Sequence, residues 1–229
     1  MTRTETHRPV TATAAVLLFD MDGTLVDSTA VVERTWRAFA RRHGLDAEAI
    51  LAVSHGRRTE ETVARFLPPG GDADAETRRV IDEEVRDTEG IVAVPGASEL
   101  LAGLPAGSWA LVTSAGRRLA ESRMAAAGLS LPEVVISADD VVSGKPDPEG
   151  YLAAAARLGH PAESAVVFED AVAGVVAARA SGARTVVVGT AHAAATEGLD
   201  RVTDLRGVRV ETVSDTGLLR VSLALDVPN

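Results

Sequence analysis

Two aspartates, Asp20 and Asp22, stand two residues apart directly after the apolar run 14–19. A short apolar run that ends in acids and a glycine is typical of a buried strand that leads into a loop. Ligands of open α/β sheets bind at this end of the strands. Buried carboxylates are costly unless they bind a cation or are otherwise paired. Since alternate residues of a strand face the same way, both acids can converge on one ligand, and we interpret them as chemical residues.

An isolated Asp-x-Asp-Gly is equally compatible with an acidic surface turn, and three later stretches decide between these interpretations. Together with Asp20-x-Asp22-Gly23-Thr24 they resemble the four ordered motifs of the haloacid dehalogenase superfamily, over residues 16–189. The three stretches are Thr113-Ser114 after one apolar run, Lys145 in a Gly-Lys-Pro loop, and Glu169-Asp170 after another apolar run. Within the superfamily the chain is most similar to capped sugar and polyol phosphatases of the glycerol-3-phosphatase and 2-deoxyglucose-6-phosphatase type, through residues 54–59, 94–97 and 168–174.

The resemblance implies a catalytic role for each matching residue. Asp20 is expected to be the nucleophile that forms an aspartyl-phosphate. Asp22 is expected to protonate the leaving alcohol and then to activate water. Thr113 and the backbone N–H of Ser114 are expected to bind phosphoryl oxygens, and Lys145 is expected to pair with both the phosphoryl group and Asp20.

A carboxylate nucleophile that attacks a phosphate needs its charge masked by a metal ion. The available ligands are Asp20, Asp22 through its backbone carbonyl, and Asp170, with Glu169 expected to lie outside the inner coordination shell. All of these donors are hard oxygens, which favour octahedral Mg²⁺ over zinc. We therefore expect a Mg²⁺ cofactor.

Three residues of the loop 54–59 are expected to bind substrate: His55, Arg57 and Arg58. Taken alone, such residues are more often solvated than functional. The resemblance, however, implies that this loop faces the core site and sets substrate specificity.

The basic residues support the role of Lys145, because the chain has 22 arginines and a single lysine. An ammonium is a compact point charge, whereas a guanidinium is a broad planar fork. A cramped phosphate pocket therefore explains why lysine stands at this one position.

Composition limits the classes of partner and location. The 229 residues include no cysteine, which excludes disulfides and thiolate metal sites, and no run approaches the length of a membrane span or a secretory signal. A net charge of −10 argues against nucleic acid and anionic membranes as partners. We expect a cytoplasmic protein, a monomer or weak homodimer, whose partner is a small phosphorylated sugar or polyol.

Hydrophobic patterns predict an α/β fold: a Rossmann-like parallel sheet with helices on both faces and an inserted all-helical cap domain. The expected divisions are a disordered tail over 1–13, a core domain over 14–27 and 92–229, and the helical cap over 28–91. Residues 208–213 and 218–225 are expected to form a terminal hairpin on the sheet edge.

The resulting hypothesis is a Mg²⁺-dependent phosphatase of sugar or polyol phosphates. Two alternatives stay open at this point: a β-phosphoglucomutase-like phosphosugar mutase with the same core, and a non-catalytic sugar-phosphate sensor. Asp22 argues against a 2-haloacid dehalogenase, which needs no proton for its leaving group. The absence of lysine from 28–91 argues against a phosphonoacetaldehyde hydrolase.

Overall fold

The computed structural model describes residues 10–190 and 193–225. Its strands are β1 (Val10–Ala14), β2 (Val16–Phe19), β3 (Val26–Asp27), β4 (Val92–Ala93), β5 (Trp109–Val112), β6 (Val134–Ile136), β7 (Ala165–Glu169), β8 (Arg184–Val188), β9 (Asp200–Val202), β10 (Val208–Thr212) and β11 (Leu219–Leu223). Its α-helices are α1 (Thr29–His43), α2 (Ala47–Ser54), α3 (Thr59–Phe66), α4 (Ala73–Arg86), α5 (Ala97–Ala102), α6 (Arg117–Ala126), α7 (Glu149–Arg157) and α8 (Val172–Ala180). Short 3₁₀ helices cover Ala138–Asp140, Ala162–Ser164, Ala194–Thr196 and Leu205–Gly207.

The main sheet has six parallel strands in the order β6-β5-β2-β7-β8-β9. Strand β2 is central, and its Phe19 pairs in register with Leu111 of β5 and Phe168 of β7. Side chains of β2 alternate between two apolar clusters, one on each face of the sheet: Leu17 and Phe19 belong to one, Val16 and Leu18 to the other. The predicted α/β fold with a parallel sheet is confirmed.

Helices cover both faces of this sheet. Helices α5 and α6 supply Leu100, Leu119 and Met124 to one apolar cluster, while α7 and α8 supply Tyr151 and Ala177 to the other. A strand whose residues are all apolar must bury both of its faces, and the helices on each side of the sheet provide this burial.

Residues between β3 and β4 form helices α1–α4 and no strand. They bury a separate apolar cluster that includes Trp36, Phe39, Ile50, Val63 and Val80. Trp36 and Phe39 meet edge to face with ring centroids 5.5 Å apart, which agrees with the packing role that their spacing predicts on α1. Gly44 ends α1 in the left-handed conformation, with φ of 67°.

The chain ends differ from the prediction. The expected hairpin exists as β10 and β11, but it does not extend the main sheet: it forms a separate antiparallel sheet in the order β1-β11-β10. Residues 10–13, expected to belong to a disordered tail, lie in β1 and pair with β11. The rest of that expected tail, 1–9, lies outside the described residues.

Burial explains why these terminal strands form a second sheet. Leu219, Val221 and Leu223 point from one face of β11 into the same apolar cluster as Phe19 of the main sheet. The terminal sheet therefore covers the main core rather than lengthening an edge of the main sheet.

None of the described helices combines the length and the hydrophobicity that a membrane crossing requires.

We expect Leu223→Ala to lower the free energy of unfolding by about 2–5 kcal/mol, because Leu223 is fully buried and its removal leaves a cavity in the main core. Leu152→Ala is the matched control, since Leu152 is 45% exposed and its truncation should cost far less. Urea denaturation of both variants measures the difference. Equal losses would show that the terminal sheet is peripheral to the core.

Candidate active site

The predicted motif residues meet at the carboxyl edge of the main sheet. Asp20 directly follows β2, Thr113 follows β5, and Glu169 is the last residue of β7. Lys145 comes from the loop between β6 and α7 and reaches the same point. These strands are neighbours in the sheet, so parallel pairing gathers residues that are up to 149 positions apart in the sequence.

Lys145 lies at the centre of this group and is 7% exposed. Its Nζ donates to Asp20 Oδ1, to Glu169 Oε1 at 2.7 Å and to the Val112 carbonyl at 3.1 Å. Burial alone would lower the pKa of the ammonium, but the Asp20 and Glu169 carboxylates raise that pKa well above its usual range. Lys145 is therefore a permanent cation inside the site, as its predicted pairing with Asp20 requires.

Burial, with a further contribution from Glu169, raises the pKa of the Asp20 carboxyl to about 7 against the opposing effect of Lys145. The pKa of Asp170 also lies well above its usual range, first because of burial and then because of Glu169 and Asp20. Both shifts arise first from burial, and the neighbouring carboxylates add to them.

Glu169 is fully buried, and both of its carboxylate oxygens are engaged. Oε1 accepts from Lys145 and from the Tyr151 hydroxyl at 3.0 Å, while Oε2 accepts from the Ala171 N–H at 2.9 Å. A Cβ on Gly174 would meet Glu169 Oε1 at 1.4 Å, so the glycine leaves the space that this carboxylate fills. Glu169 thus holds Lys145 in place while its own orientation is fixed by Tyr151 and Ala171.

Oxygens of Asp20, Glu169 and Asp170 lie within 4.8 Å of one another, and this donor set fits a divalent metal. Three carboxylates beside one ammonium leave two uncompensated negative charges when all are ionised. Hard oxygen donors of this kind suit Mg²⁺. Gly23 leaves room for the third of these acids, because a Cβ there would meet Asp170 Oδ2 at 2.1 Å.

Asp22 does not belong to this carboxylate group, although its side chain lines the adjoining cavity. Its Oδ1 accepts from the Ser28 hydroxyl at 2.6 Å and its Oδ2 from Arg123 Nη1 at 2.7 Å. Arg123 in turn donates through Nη2 to Glu84 Oε1 at 2.7 Å. The sequence interpretation missed Arg123, Glu84 and Ser28.

The missed pair had a signal in the sequence. Arg123 stands four residues after Leu119 on α6, and Glu84 stands four residues after Val80 on α4, both on buried faces. A charged residue within an apolar helical stripe is seldom buried without a partner. Such positions therefore mark candidates for a paired or functional role.

A cavity of about 100 Å³ lies between the sheet edge and helices α1–α4. Asp20, Asp22, Thr113, Ser114 and Asp170 line its floor, and His55 and Arg57 line the opposite side. The Ser114 hydroxyl donates to the Gly56 carbonyl at 2.9 Å and so joins the floor to the loop 54–59. The Thr113 hydroxyl accepts from the Ala115 N–H at 3.1 Å, which orders the turn beneath the cavity.

Arg58, which is expected to bind substrate, does not line this cavity in the structure. Its guanidinium donates to the Val141 carbonyl at 2.9 Å and the Val142 carbonyl at 3.3 Å. A Cβ on Gly144 would meet Arg58 Nε at 2.6 Å, so the side chain packs over the loop that carries Lys145. Arg58 therefore ties the loop 54–59 to the core.

An open parallel sheet that gathers acids and one lysine at its carboxyl edge, beneath a helical insertion, defines a class of α/β enzyme with a carboxylate-centred site. The family model described as haloacid dehalogenase-like hydrolase matches residues 14–182. The chain belongs to this family.

Among its relatives, hexitol phosphatase A of Escherichia coli is 45% identical over 178 residues, covering 75% of this chain and 81% of the relative. Glycerol-1-phosphate phosphohydrolase 2 of Saccharomyces cerevisiae is 35% identical over 196 residues, covering 81% of this chain and 78% of the relative.

Two solved structures, each 28% identical in sequence to this chain, are similar to it in fold. A hydrolase from Pseudomonas syringae has a TM-score of 0.72 and coverage of 84% and 94%. A putative β-phosphoglucomutase from Thermotoga maritima has a TM-score of 0.62 and coverage of 83% and 94%.

The pKa of Asp20 generates a test of the site without substrate. A carboxyl whose pKa is raised in the folded state contributes stability below its unfolded value and loses it as the pH rises through the folded value. In EDTA, the free energy of unfolding of the wild type should therefore fall relative to that of Asp20→Asn between about pH 4 and about pH 7. Urea denaturation across this range measures the difference, and a constant difference would contradict the placement of Asp20.

Proposed function

We propose that this chain is a Mg²⁺-dependent phosphatase that hydrolyses small sugar or polyol phosphate monoesters through an aspartyl-phosphate on Asp20. The contact between Asp20 and the chain's single lysine carries this proposal, because it places a buried carboxylate and a permanent cation at the edge where the family motifs meet. The names of the relatives, a hexitol phosphatase and a glycerol-1-phosphate phosphohydrolase, support the substrate class.

In the first half-reaction an Asp20 oxygen attacks phosphorus, and the ester P–O bond breaks with its electron pair on the alcohol oxygen. Lys145, Thr113 and the Ser114 N–H stabilise the negative charge of the phosphoryl oxygens. Lys145 also holds Asp20 in place, because its other contacts to Glu169 and Val112 fix the ammonium on three sides. The geometry thus restrains the nucleophile before substrate arrives.

Asp22 is proposed to transfer the protons. It gives one to the alcohol oxygen as the ester bond breaks, and then takes one from the water that attacks the aspartyl-phosphate. One residue separates Asp22 from Asp20 along the chain, and both side chains line the cavity, so Asp22 can reach the leaving group while Asp20 attacks phosphorus.

Asp20, Asp170 and the backbone carbonyl of Asp22 are the residues proposed to hold Mg²⁺. When bound, the cation would mask the charge between the carboxylate nucleophile and the phosphate dianion. Glu169 is proposed to act through Lys145, since both of its oxygens already accept hydrogen bonds.

Helices α1–α4 are proposed to be a mobile cap over this site. They have their own apolar cluster, and several polar contacts join them to the core: Arg118 to Asp82 at 2.6 Å, Ser122 to the Val85 carbonyl at 3.1 Å, and Ser114 to Gly56. Polar contacts of this kind permit relative motion more readily than an apolar core does. His55 and Arg57 are proposed to bind the substrate's hydroxyl end as the cap closes.

The activity test uses phosphate release from a panel of hexitol, glycerol and sugar phosphates, with Mg²⁺ and with EDTA. We expect release with Mg²⁺, loss in EDTA, and a fall of at least about a thousandfold in Asp20→Asn, because the nucleophile is gone. Circular dichroism checks that this variant stays folded. Absence of turnover by the wild type would favour a non-catalytic sensor, and full turnover by Asp20→Asn would show that Asp20 is not the nucleophile.

The metal site has its own test, which needs no turnover. Asp170→Asn should weaken Mg²⁺ binding by about tenfold or more in isothermal titration calorimetry, because it replaces one of few anionic ligands. Asp147→Asn, an exposed change on the Lys145 loop, is the matched control and should bind as the wild type does. Equal Mg²⁺ affinity of the two variants would show that Asp170 does not bind the metal.

A phosphosugar mutase is the second candidate, favoured by the similarity in fold to the putative β-phosphoglucomutase. The two activities share the first half-reaction and differ in whether water or a second sugar hydroxyl accepts the phosphoryl group. Incubation with glucose 1-phosphate separates them. Inorganic phosphate as the product supports the phosphatase, and glucose 6-phosphate supports the mutase.

A further inference from the structure

The Asp22 carboxylate is held on both oxygens by side chains from different elements. Ser28, just before α1, donates to Oδ1, and Arg123 of α6 donates to Oδ2. The Asp22 side chain itself is 28% exposed and lines the cavity. Its orientation therefore depends on two donors rather than on tight packing.

Arg123 joins Asp22 to the helical insertion. The arginine side chain is 5% exposed, and its second terminal nitrogen donates to Glu84 of α4, whose side chain is 4% exposed. A guanidinium presents two terminal nitrogens in a fixed plane, so binding Glu84 through one also restrains the direction of the other. A buried arginine between two carboxylates is costly to build and weak as a source of stability, which directs attention to its effect on Asp22.

We infer that Arg123 is a positioning residue for the proton-transfer group Asp22, and that Glu84 completes this positioning when α4 lies against α6. This inference rests on the proposed function of Asp22. In this inference, the ion pair between Arg123 of α6 and Glu84 of α4 orients Asp22 once the cavity is closed. Neither Arg123 nor Glu84 needs to touch substrate for this.

The inference predicts a dependence on the leaving group. When an alkyl phosphate transfers its phosphoryl group to Asp20, the ester P–O bond breaks and the alcohol oxygen takes a proton from Asp22. Acetyl phosphate transfers the same group but releases acetate, a carboxylate with a pKa of about 4 to 5 that leaves without a proton. A misplaced Asp22 therefore slows the first substrate and spares the second.

The test compares kcat/KM for glycerol 1-phosphate and acetyl phosphate in the wild type and in Arg123→Met. Since general acid catalysis contributes about a hundredfold or more, we expect kcat/KM for glycerol 1-phosphate to fall about ten- to a hundredfold further than that for acetyl phosphate. Equal losses for the two substrates would indicate a structural role and overturn the inference. No loss with either would overturn it as well.

Arg118→Met is the matched control. Arg118 also lies on α6 and pairs with Asp82 of α4, but it is exposed and has no contact with Asp22. Both kcat/KM values should stay within about twofold of the wild type, as expected for an exposed ion pair. A leaving-group dependence as large as that of Arg123→Met would assign the effect to helix contact in general and overturn the role of Arg123.

Glu84→Gln serves if Arg123→Met does not fold, and it tests the second half of the inference. It keeps an oxygen acceptor for Arg123 but removes the negative charge. We therefore expect kcat/KM for glycerol 1-phosphate again to fall more than kcat/KM for acetyl phosphate, by a smaller factor than in Arg123→Met. In the double variant the losses should be less than the product of the single ones, because both changes act through Asp22. A Glu84→Gln enzyme with no preference, or with independent losses, would overturn the coupling to α4.

Failure of this inference and failure of the proposed function give different results. If the wild type releases no phosphate from either substrate, the proposed function is wrong. If the wild type turns over both and Arg123→Met loses both equally, the function stands and the positioning role is wrong.

Discussion

One buried ammonium orders the carboxyl edge of the main sheet. Lys145 contacts Asp20 beyond β2, Glu169 at the end of β7 and the Val112 carbonyl at the end of β5, and these are three adjacent strands. Without it, the two buried carboxylates would repel each other with no cation between them. With it they are restrained, yet Asp20, Glu169 and Asp170 when ionised carry more negative charge than Lys145 balances, and a divalent cation would offset the rest. The proposed chemistry depends on that excess, since it explains how an acidic protein attracts first a metal and then an anionic ester.

Local patterns predict most of the main sheet because its strands are continuous apolar runs with helices between them. They fail for β1 and β9. Val10–Ala14 alternates threonine with alanine, and its role depends on pairing with β11, about two hundred residues further along the chain. Asp200–Val202 has three residues, two of them charged, and carries no pattern at all. Elements that form only through long-range pairing leave little trace in their own sequence.

The candidate site likewise contains residues that local sequence patterns predict and residues that they do not. Asp20, Thr113, Lys145 and Asp170 follow apolar strands or stand in a distinctive loop, so local chemistry singles them out. Arg57 and Arg58 are consecutive arginines, and spacing does not determine which one faces the cavity. In the structure Arg57 does, while Arg58 turns to the carbonyls beside the Lys145 loop. Arg123 and Glu84 meet only because two helices far apart in sequence pack together.

The cavity's size connects these contacts to turnover. At about 100 Å³ it is small beside the roughly 300–1,000 Å³ of ordinary ligand sites, so the arrangement of α1–α4 in this structure is a closed one. In the proposed cap motion, substrate and product pass when the helices separate. This separation breaks the bonds of Arg58, Ser114, Ser122 and Arg123 to the opposite side. Water can take the place of each lost hydrogen-bond partner at modest cost. The separate apolar cluster inside α1–α4 stays intact. The helices also pack on the main core through Val31 of α1 and Val85 of α4, so the interface is partly apolar. In the proposed cap motion, opening exposes these side chains as well as breaking the polar contacts, which favours the closed arrangement that excludes water.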